Sequence, residues 1–501
     1  MQKYGLLNFD FYYFKCTFIF LGVLFLKKSF LYTIISLAHK NYAEENNKKK
    51  IKEETNFMET ILAYAMIIVF LFLVIRKKLT PFSALVLVPV VFAIIGAVMG
   101  IFPVNIGEMA LEGIKGVSTT AIMLLFAILF FAIMLNAGLF DPVTAAVIRF
   151  AKGDPVKILL GTAILAATVS LNGDGTTTTL IVCSAFIPIY KKLGLKIMNL
   201  GVLLILMNTI MNLLPWGGPT ARVISVLNLD EQVVLRGLAP GMIASIIYML
   251  GVAFYLGVKE RKRIGIQNLS EKDIIELTTV TDPEELALRR PKNVWINAIL
   301  TIGLVILLMV GKLPVVGKLP SAFLFLVGTA LALVINYKSL KDQKNRIQDN
   351  AGDAVQVVIL VLGAGIFMGI FTGTGMSDSL ALSLANIIPT SWGRYWGLIV
   401  AVLSAPGTFF LSNDAFYYGV LPVLAEAGYQ YGFTAVELGI ASLLGQAFHL
   451  LSPLVAFIYL LLNLTGLDMG EWQKESGKWA LGIFFIFILV AGVTGAVPLI
   501  K

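Results

Sequence analysis

Apolar runs of about 20 residues, the length that crosses a bilayer as a helix, succeed one another along this chain and leave few folds open. From residue 58 they cover 59–75, 81–102, 117–140, 155–190, 197–227 and 238–257, then 293–310, 320–335, 354–372, 395–425, 436–465 and 479–499. Hydrocarbon offers no water to a bare N–H or C=O, so each run must satisfy its backbone internally, as helix. The composition agrees: 58% of the 501 residues are hydrophobic and 14% charged, with a mean hydropathy of +0.86. The chain is expected to be an all-α polytopic membrane protein. Its net charge of +9 does not point to nucleic acid, because the basic residues gather in short loops between runs, where they set topology.

Four runs are broken by residues hostile to lipid. The run 155–190 is broken at Asn172-Gly173-Asp174-Gly175-Thr176, and 197–227 at Pro215-Trp216-Gly217-Gly218-Pro219-Thr220. The run 395–425 is broken at Ser412-Asn413-Asp414, and 436–465 near Ser452-Pro453. The landmarks Asn172 and Asn413, Pro215 and Pro453, Pro81 and Pro320 each lie about 240 residues apart, a constant offset that marks an internal repeat.

Lysine and arginine orient the repeats. Basic clusters lie at Arg149, Lys152 and Lys157, and again at Lys191, Lys192 and Lys196. For both to share one side, the run 155–190 must enter and leave by the same face, as a re-entrant hairpin with residues 173–175 at its tip. Lys259, Arg261, Lys262 and Arg263, the cluster 338–346, and Lys474 and Lys478 fall on that side too, which is therefore cytoplasmic. Each half then holds five transmembrane helices and one re-entrant hairpin. Five is odd, so the halves are expected to insert with opposite polarity, as two inverted repeats with broken helices at the midplane. The expected division is an N-terminal extension 1–57, a first repeat 58–257, a cytoplasmic linker 258–292 and a second repeat 293–501. The extension fits this topology poorly as a further span, and Met58 reads as an alternative start. The expected location is the plasma membrane (the bacterial inner membrane), as a multi-pass protein.

A broken helix beside a Gly-rich hairpin tip is how secondary transporters build sites near the midplane, so the four breaks are the candidate site. Asp174, between two glycines, either binds a metal or coupling ion or caps the helix that follows. Thr176 and Thr177 open that helix, whose N–H groups and hydroxyls suit a carboxylate. Around Gly217, Gly218 and Thr220, a helix interruption frees carbonyls for a cation and N–H groups for an anion. Arg222 either pairs a substrate carboxylate, partners Asp174 or snorkels to the interface. Trp216 reads as a packing anchor. In the second half, Ser412, Asn413 and Asp414 supply hydroxyl, amide and acid, with Ser452 at the other break. His449 either carries a coupling proton or is a hydrogen-bonded structural residue. Glu426 and Glu437, beside the outer loop, are expected to be solvated. Two acids against one arginine suit a carboxylate chelated to a divalent metal such as Mg2+ or Ca2+, or one carried with H+ or Na+, better than a free tricarboxylate.

The strings GDGTTT (173–178), IPIYKKLG (187–194), MNLLPWGGPTAR (211–222), NDAFYYGVLPVLAEA (413–427) and ASLLGQAFHLLSPLVAFIYLL (441–461) resemble the citrate–metal–H+ symporter (CitMHS) family of the ion transporter superfamily. The resemblance runs from Met58 to the end. It implies uptake of citrate complexed to a divalent metal, driven by cation symport, by an elevator-like homodimer. Asn172 stands where the family pattern leads one to expect an acid. The substrate residues so expected are Asn172, Gly173, Gly175, Thr176, Thr177, Gly217, Gly218, Thr220, Arg222, Ser412, Asn413 and Ser452, with Asp174, Asp414 and His449 for the metal or coupling ion. No resident cofactor is expected; the metal is part of the substrate. A Na+/H+ antiporter, or a metal-independent carboxylate carrier of the same fold, is the alternative. Neither a nucleotide loop nor an HExxH or Gly-x-Ser-x-Gly motif occurs, so an enzyme is disfavoured.

Overall fold

The computed structural model describes residues 45–102, 105–267, 283–314, 316–387 and 389–501. Contacts divide the chain at Met58 into residues 1–58 and a compact unit of residues 59–501. The expected extension lies outside the described residues up to residue 44; from Glu45 the chain is helix.

The helices are α1 Glu45–Ile75, α2 Pro81–Val98, α3 Ile106–Asn136, α4 Asp141–Ala151, α5 Pro155–Val169, α6 Gly175–Lys192, α7 Ile197–Met211, α8 Gly218–Leu227 and α9 Glu231–Ile264. After the short α10 Pro283–Leu288 come α11 Val294–Val310, α12 Ser321–Asn336, α13 Leu340–Gly373, α14 Met376–Ile387 and α15 Thr390–Gly393. The chain continues through α16 Trp396–Phe410, α17 Leu421–Gln430, α18 Ala435–Leu443, α19 Gln446–His449, α20 Ala456–Thr465 and α21 Met469–Thr494. A two-stranded ribbon pairs Lys312 with Lys318. Among the described residues, eight helices are long and apolar enough to cross a membrane.

Capping chemistry sets where these helices start. Thr80 accepts from the Ser83 N–H ahead of α2, and Asp154 from the Val156 N–H ahead of α5. Pro81 and Pro155 follow at the first helical position, where a missing N–H is harmless. Asp230 and Asp468 cap α9 and α21 in the same way. Several helices outrun their apolar stretches. Helix α9 continues to Ile264 where the apolar run ends at 257, and α13 begins at Leu340 where the run begins at 354. Hydrophobicity marks the depth of lipid, not the end of a helix. The basic residues Arg261, Lys262 and Arg263 favour the carbonyl end of α9. Residues 258–264 of the linker expected at 258–292 are thus helical.

Two pairs of helices that lie about 240 residues apart match in length. Helices α5 and α16 are both 15 residues long, and α8 and α20 both 10. The short helices α4 and α14, 11 and 12 residues, lie ahead of α5 and α16, and the apolar pattern did not reveal them. Two corresponding pairs run antiparallel. Val117 meets Gly365, Gly113 meets Gly365 and Gly369, and Met109 meets Gly369 and Gly373 across α3 and α13. Small residues let these backbones approach closely. Across α9 and α21, Gly241 meets Phe487, Tyr248 meets Gly482, and Tyr255 faces Trp479.

Helix α7 sits innermost: every residue from Asn199 to Met211 is buried, against α5, α6, α9, α19, α20 and α21. Asp154 anchors the foot of the first hairpin to α9 through Arg261, whose Nε donates at 3.0 Å. At 1.5 Å per residue, α5 and α6 reach roughly 22 and 27 Å, within the hydrocarbon thickness of about 30 Å.

Candidate functional site

The first tip is a three-residue 3-10 turn, Ser170–Asn172, followed by Gly173 in the left-handed region at φ 76°. A side chain there would be strained. Asn172 is buried, and its Oδ1 accepts from the Asp174 N–H at 2.8 Å. Asp174 is exposed, and its carboxylate accepts from the Thr176 and Thr177 N–H groups at 3.2 and 2.7 Å. Of the roles open to it, the helix cap is therefore occupied. Those two N–H groups serve the cap, so a carboxylate ligand has the hydroxyls of exposed Thr176 and half-buried Thr177 to meet.

The first broken helix passes from α7 to α8 through Asn212–Gly217. Asn212 Oδ1 accepts from the Gly218 N–H at 3.2 Å, and buried Thr220 donates to the Leu213 carbonyl at 2.8 Å. Thr220 thus closes the break itself. Trp216 Nε1 donates to the Leu171 carbonyl at 2.8 Å, while its ring stacks on Phe131 of α3 and meets Phe325 of α12 edge-on. It anchors the tip, the break and the flanking long helices in one place.

The second tip runs Leu411 to Asp414, and a π-helical turn, Ala415–Val420, follows it. Such turns accumulate at functional sites. Ser412 Oγ accepts from the Ala415 N–H at 3.2 Å. The second break lies between α19 and α20, where Ser452 is buried and its hydroxyl accepts from the Leu454 N–H at 3.1 Å. His449, also buried, shares a 2.8 Å hydrogen bond through Nδ1 with the Thr408 carbonyl.

These four interruptions form a closed circuit. Gly173 at the first tip lies against Trp216 and Gly217 of the first break. Beyond that break, Arg222 Nε donates to Asp414 Oδ1 of the second tip at 2.7 Å, each side chain 18% exposed. At the second tip, Asn413 Oδ1 accepts from Gln446 Nε2 of α19, ahead of the second break, at 3.2 Å. Past that break, Phe457 packs on Gly175 of the first tip. The first tip touches the break of its own half, the second tip touches the helix that leads into its own, and each half-helix after a break reaches the tip of the other half.

The arginine is thus settled as a partner of Asp414, not of Asp174, and Arg222 Nη1 also donates to the Gly218 carbonyl at 2.8 Å. Sequence reasoning missed Gln446, whose Nε2 donates as well to buried Tyr417. An amide inside an otherwise apolar run, ahead of Ser452, was the available signal. It also missed Asn208, buried in α7 with neither polar atom of its amide partnered by protein, and the unpartnered hydroxyls of buried Ser170 and Thr179. Glu437, expected to be solvated, closes a capping box with Thr434 and pairs with Lys501 at 2.7 Å. Among the described residues, no three His, Cys, Asp or Glu side chains gather to hold a metal ion.

Unwound backbone and an ion pair enclosed by the breaks of an all-helical membrane protein define a secondary transporter. The match to known proteins narrows this. The model of the CitMHS citrate transporter family covers residues 69–445. A citrate transporter of Bacillus subtilis is 46% identical over 440 residues, 88% of this chain and all of that protein. A Mg2+/citrate complex secondary transporter of the same organism is 38% identical over 442 residues, again 88% of this chain and all of the relative. The crystal structure of the Alcanivorax borkumensis YdaH transporter shares the fold, with a TM-score of 0.53 over 78% of this chain and 89% of that one, at 15% identity. The chain belongs to the CitMHS citrate transporter family. It is a multi-pass transporter of the plasma membrane, not an enzyme.

Proposed function

We propose that this chain imports citrate as a complex with a divalent metal ion such as Mg2+ or Ca2+, carrying H+ or Na+ in the same direction. The observation that carries the reading is the Arg222–Asp414 pair, which joins the helix after the first break to the second tip. It sets one cation and one anion side by side where a metal carboxylate, itself an ion pair, must bind. The metal is cargo and arrives with citrate oxygens already on it, so it asks few ligands of the protein. Asp414 offers it one carboxylate, and Arg222 offers citrate a guanidinium.

Citrate with one divalent ion keeps a single negative charge, which one co-transported monovalent cation neutralises. His449, buried ahead of the second break and hydrogen-bonded through Nδ1 to the Thr408 carbonyl, is the group we assign to carry it as a proton; Asp174 is the acid at the other tip. Inverted insertion of the two halves is supported by the antiparallel run of the corresponding helices α3 and α13, and α9 and α21. Opposed halves meeting at one site suit alternating access. The family resemblance adds a homodimer, testable by cross-linking in membranes. The name of the 38% identical relative, a Mg2+/citrate complex secondary transporter, supports the choice of cargo.

The test is uptake of labelled citrate into proteoliposomes, with Mg2+, pH gradient and Na+ gradient varied independently. Uptake that needs Mg2+ and one of the gradients is expected. Equal uptake with Mg2+ removed by EDTA would refute the metal complex, and cation exchange without citrate would favour an antiporter.

A further inference from the structure

Arg222 and Asp414 come from different halves, yet each is the other's charge partner at 2.7 Å. Their side chains are neither sealed nor solvated, each 18% exposed. Arg222 is held from behind by the Gly218 carbonyl, so its guanidinium keeps one bond if Asp414 is taken away. Buried Tyr417 and Tyr418 stand in the turn that follows Asp414, and Tyr417 accepts from Gln446.

Resting on the reading above, we propose that this ion pair is the selector that admits metal and carboxylate only together. The complex exchanges partners with it: the metal takes Asp414 from Arg222, while a citrate carboxylate takes Arg222 from Asp414. No covalent bond changes, and each charge keeps an opposite neighbour throughout. A free carboxylate that took Arg222 would leave Asp414 unpaired beside a second anion. A free divalent ion that took Asp414 would leave Arg222 unpaired beside more positive charge. Leaving a charge unpaired in a poorly solvated place is strongly unfavourable, and like charges side by side add to it. Only a ligand carrying both signs avoids both penalties. The exchange also dissolves the bond joining the first break to the second tip, so cargo binding and loosening of the two halves are one event.

The test is equilibrium binding of labelled citrate to purified protein in detergent, with Mg2+ or with EDTA, on wild type, Asp414→Asn, Arg222→Gln and the double variant. Wild type is expected to bind citrate at least tenfold tighter with Mg2+. Asp414→Asn should bind free citrate at least tenfold better than wild type does, so that Mg2+ no longer matters. Arg222→Gln should lose citrate yet gain thermal stabilisation by Mg2+ alone, and the double variant should show neither preference. If Asp414→Asn keeps the wild-type dependence on Mg2+, the selector is refuted while the metal–citrate reading stands. If Asp414→Asn elutes as a folded protein and binds neither form, the selector is again refuted. If wild type binds citrate equally in EDTA, the reading beneath it has failed.

Discussion

Alanine in place of Gly217 is a one-methyl probe of the first break. A Cβ built there would lie 1.9 Å from the Asn212 carbonyl oxygen and 2.6 Å from its carbon. Real contacts of this kind are not found under 3.0 Å, so the chain must open by about 1.1 Å or more to reach even that limit, and van der Waals separation is wider still. The obstacle is backbone, so no rotamer relieves it. That backbone is fixed by the Gly217 N–H to the Leu214 carbonyl at 2.8 Å and the Ala221 N–H to the Gly217 carbonyl at 3.0 Å. Overpacking of this order costs about 1–3 kcal/mol. The larger effect is on function, because α8 carries Arg222 only a turn further on. A shift of about 1 Å in a positioned group is enough for roughly a 100-fold loss. Citrate uptake into proteoliposomes should fall about that far, with thermal unfolding in detergent lowered but still cooperative. Gly116→Ala is the control: it sits in α3 with its nearest neighbour at 3.7 Å, and alanine there should be neutral or stabilising by roughly 0.5–1 kcal/mol. Wild-type transport by Gly217→Ala would refute the claim that this break is held to within an ångström.

Trp216→Phe keeps most of the ring packing but removes the donor to the Leu171 carbonyl; an acceptor so stranded costs about 1–3 kcal/mol. Melting should drop measurably and uptake should weaken, whereas unchanged melting would show that the tip is held by other contacts. Asn208→Leu replaces a buried amide that no protein group partners by an apolar side chain of similar size. If Asn208 serves a polar ligand or coupling cation, melting should hold or rise while uptake falls at least about tenfold; unaltered uptake would assign it a purely structural place.

How far the letters revealed this molecule differs by layer. The helices and their order were legible because a bilayer imposes one length and one backbone solution. The repeat was read from Pro81 and Pro320, and from Asn172 and Asn413, because breaks are rarer than apolar residues. Helices α4 and α14 were not: at 11 and 12 residues they are too short and too mixed to register as apolar runs. Of the expected site residues, Arg222 and Asp414 do meet from the two halves. Pairings were not legible. Nothing in the spacing chose Asp414 over Asp174 as the arginine's partner, because the two acids sit at equivalent tips and only the fold of α8 toward the second hairpin decides. Gln446 was hidden for a related reason: an amide in an apolar stretch shows its value only when Asn413 and Tyr417 are brought to it.

The central claim is that four interruptions, two from each half, enclose one binding place. Its most direct test is a density map of the protein in nanodiscs with Mg2+ and citrate, beside a map without them. The account predicts new density bounded by Gly175, Gly217, Arg222, Asn413, Asp414 and Gln446, with the metal nearer Asp414 and a carboxylate on Arg222. Citrate density elsewhere, with the Arg222–Asp414 contact intact, would contradict it.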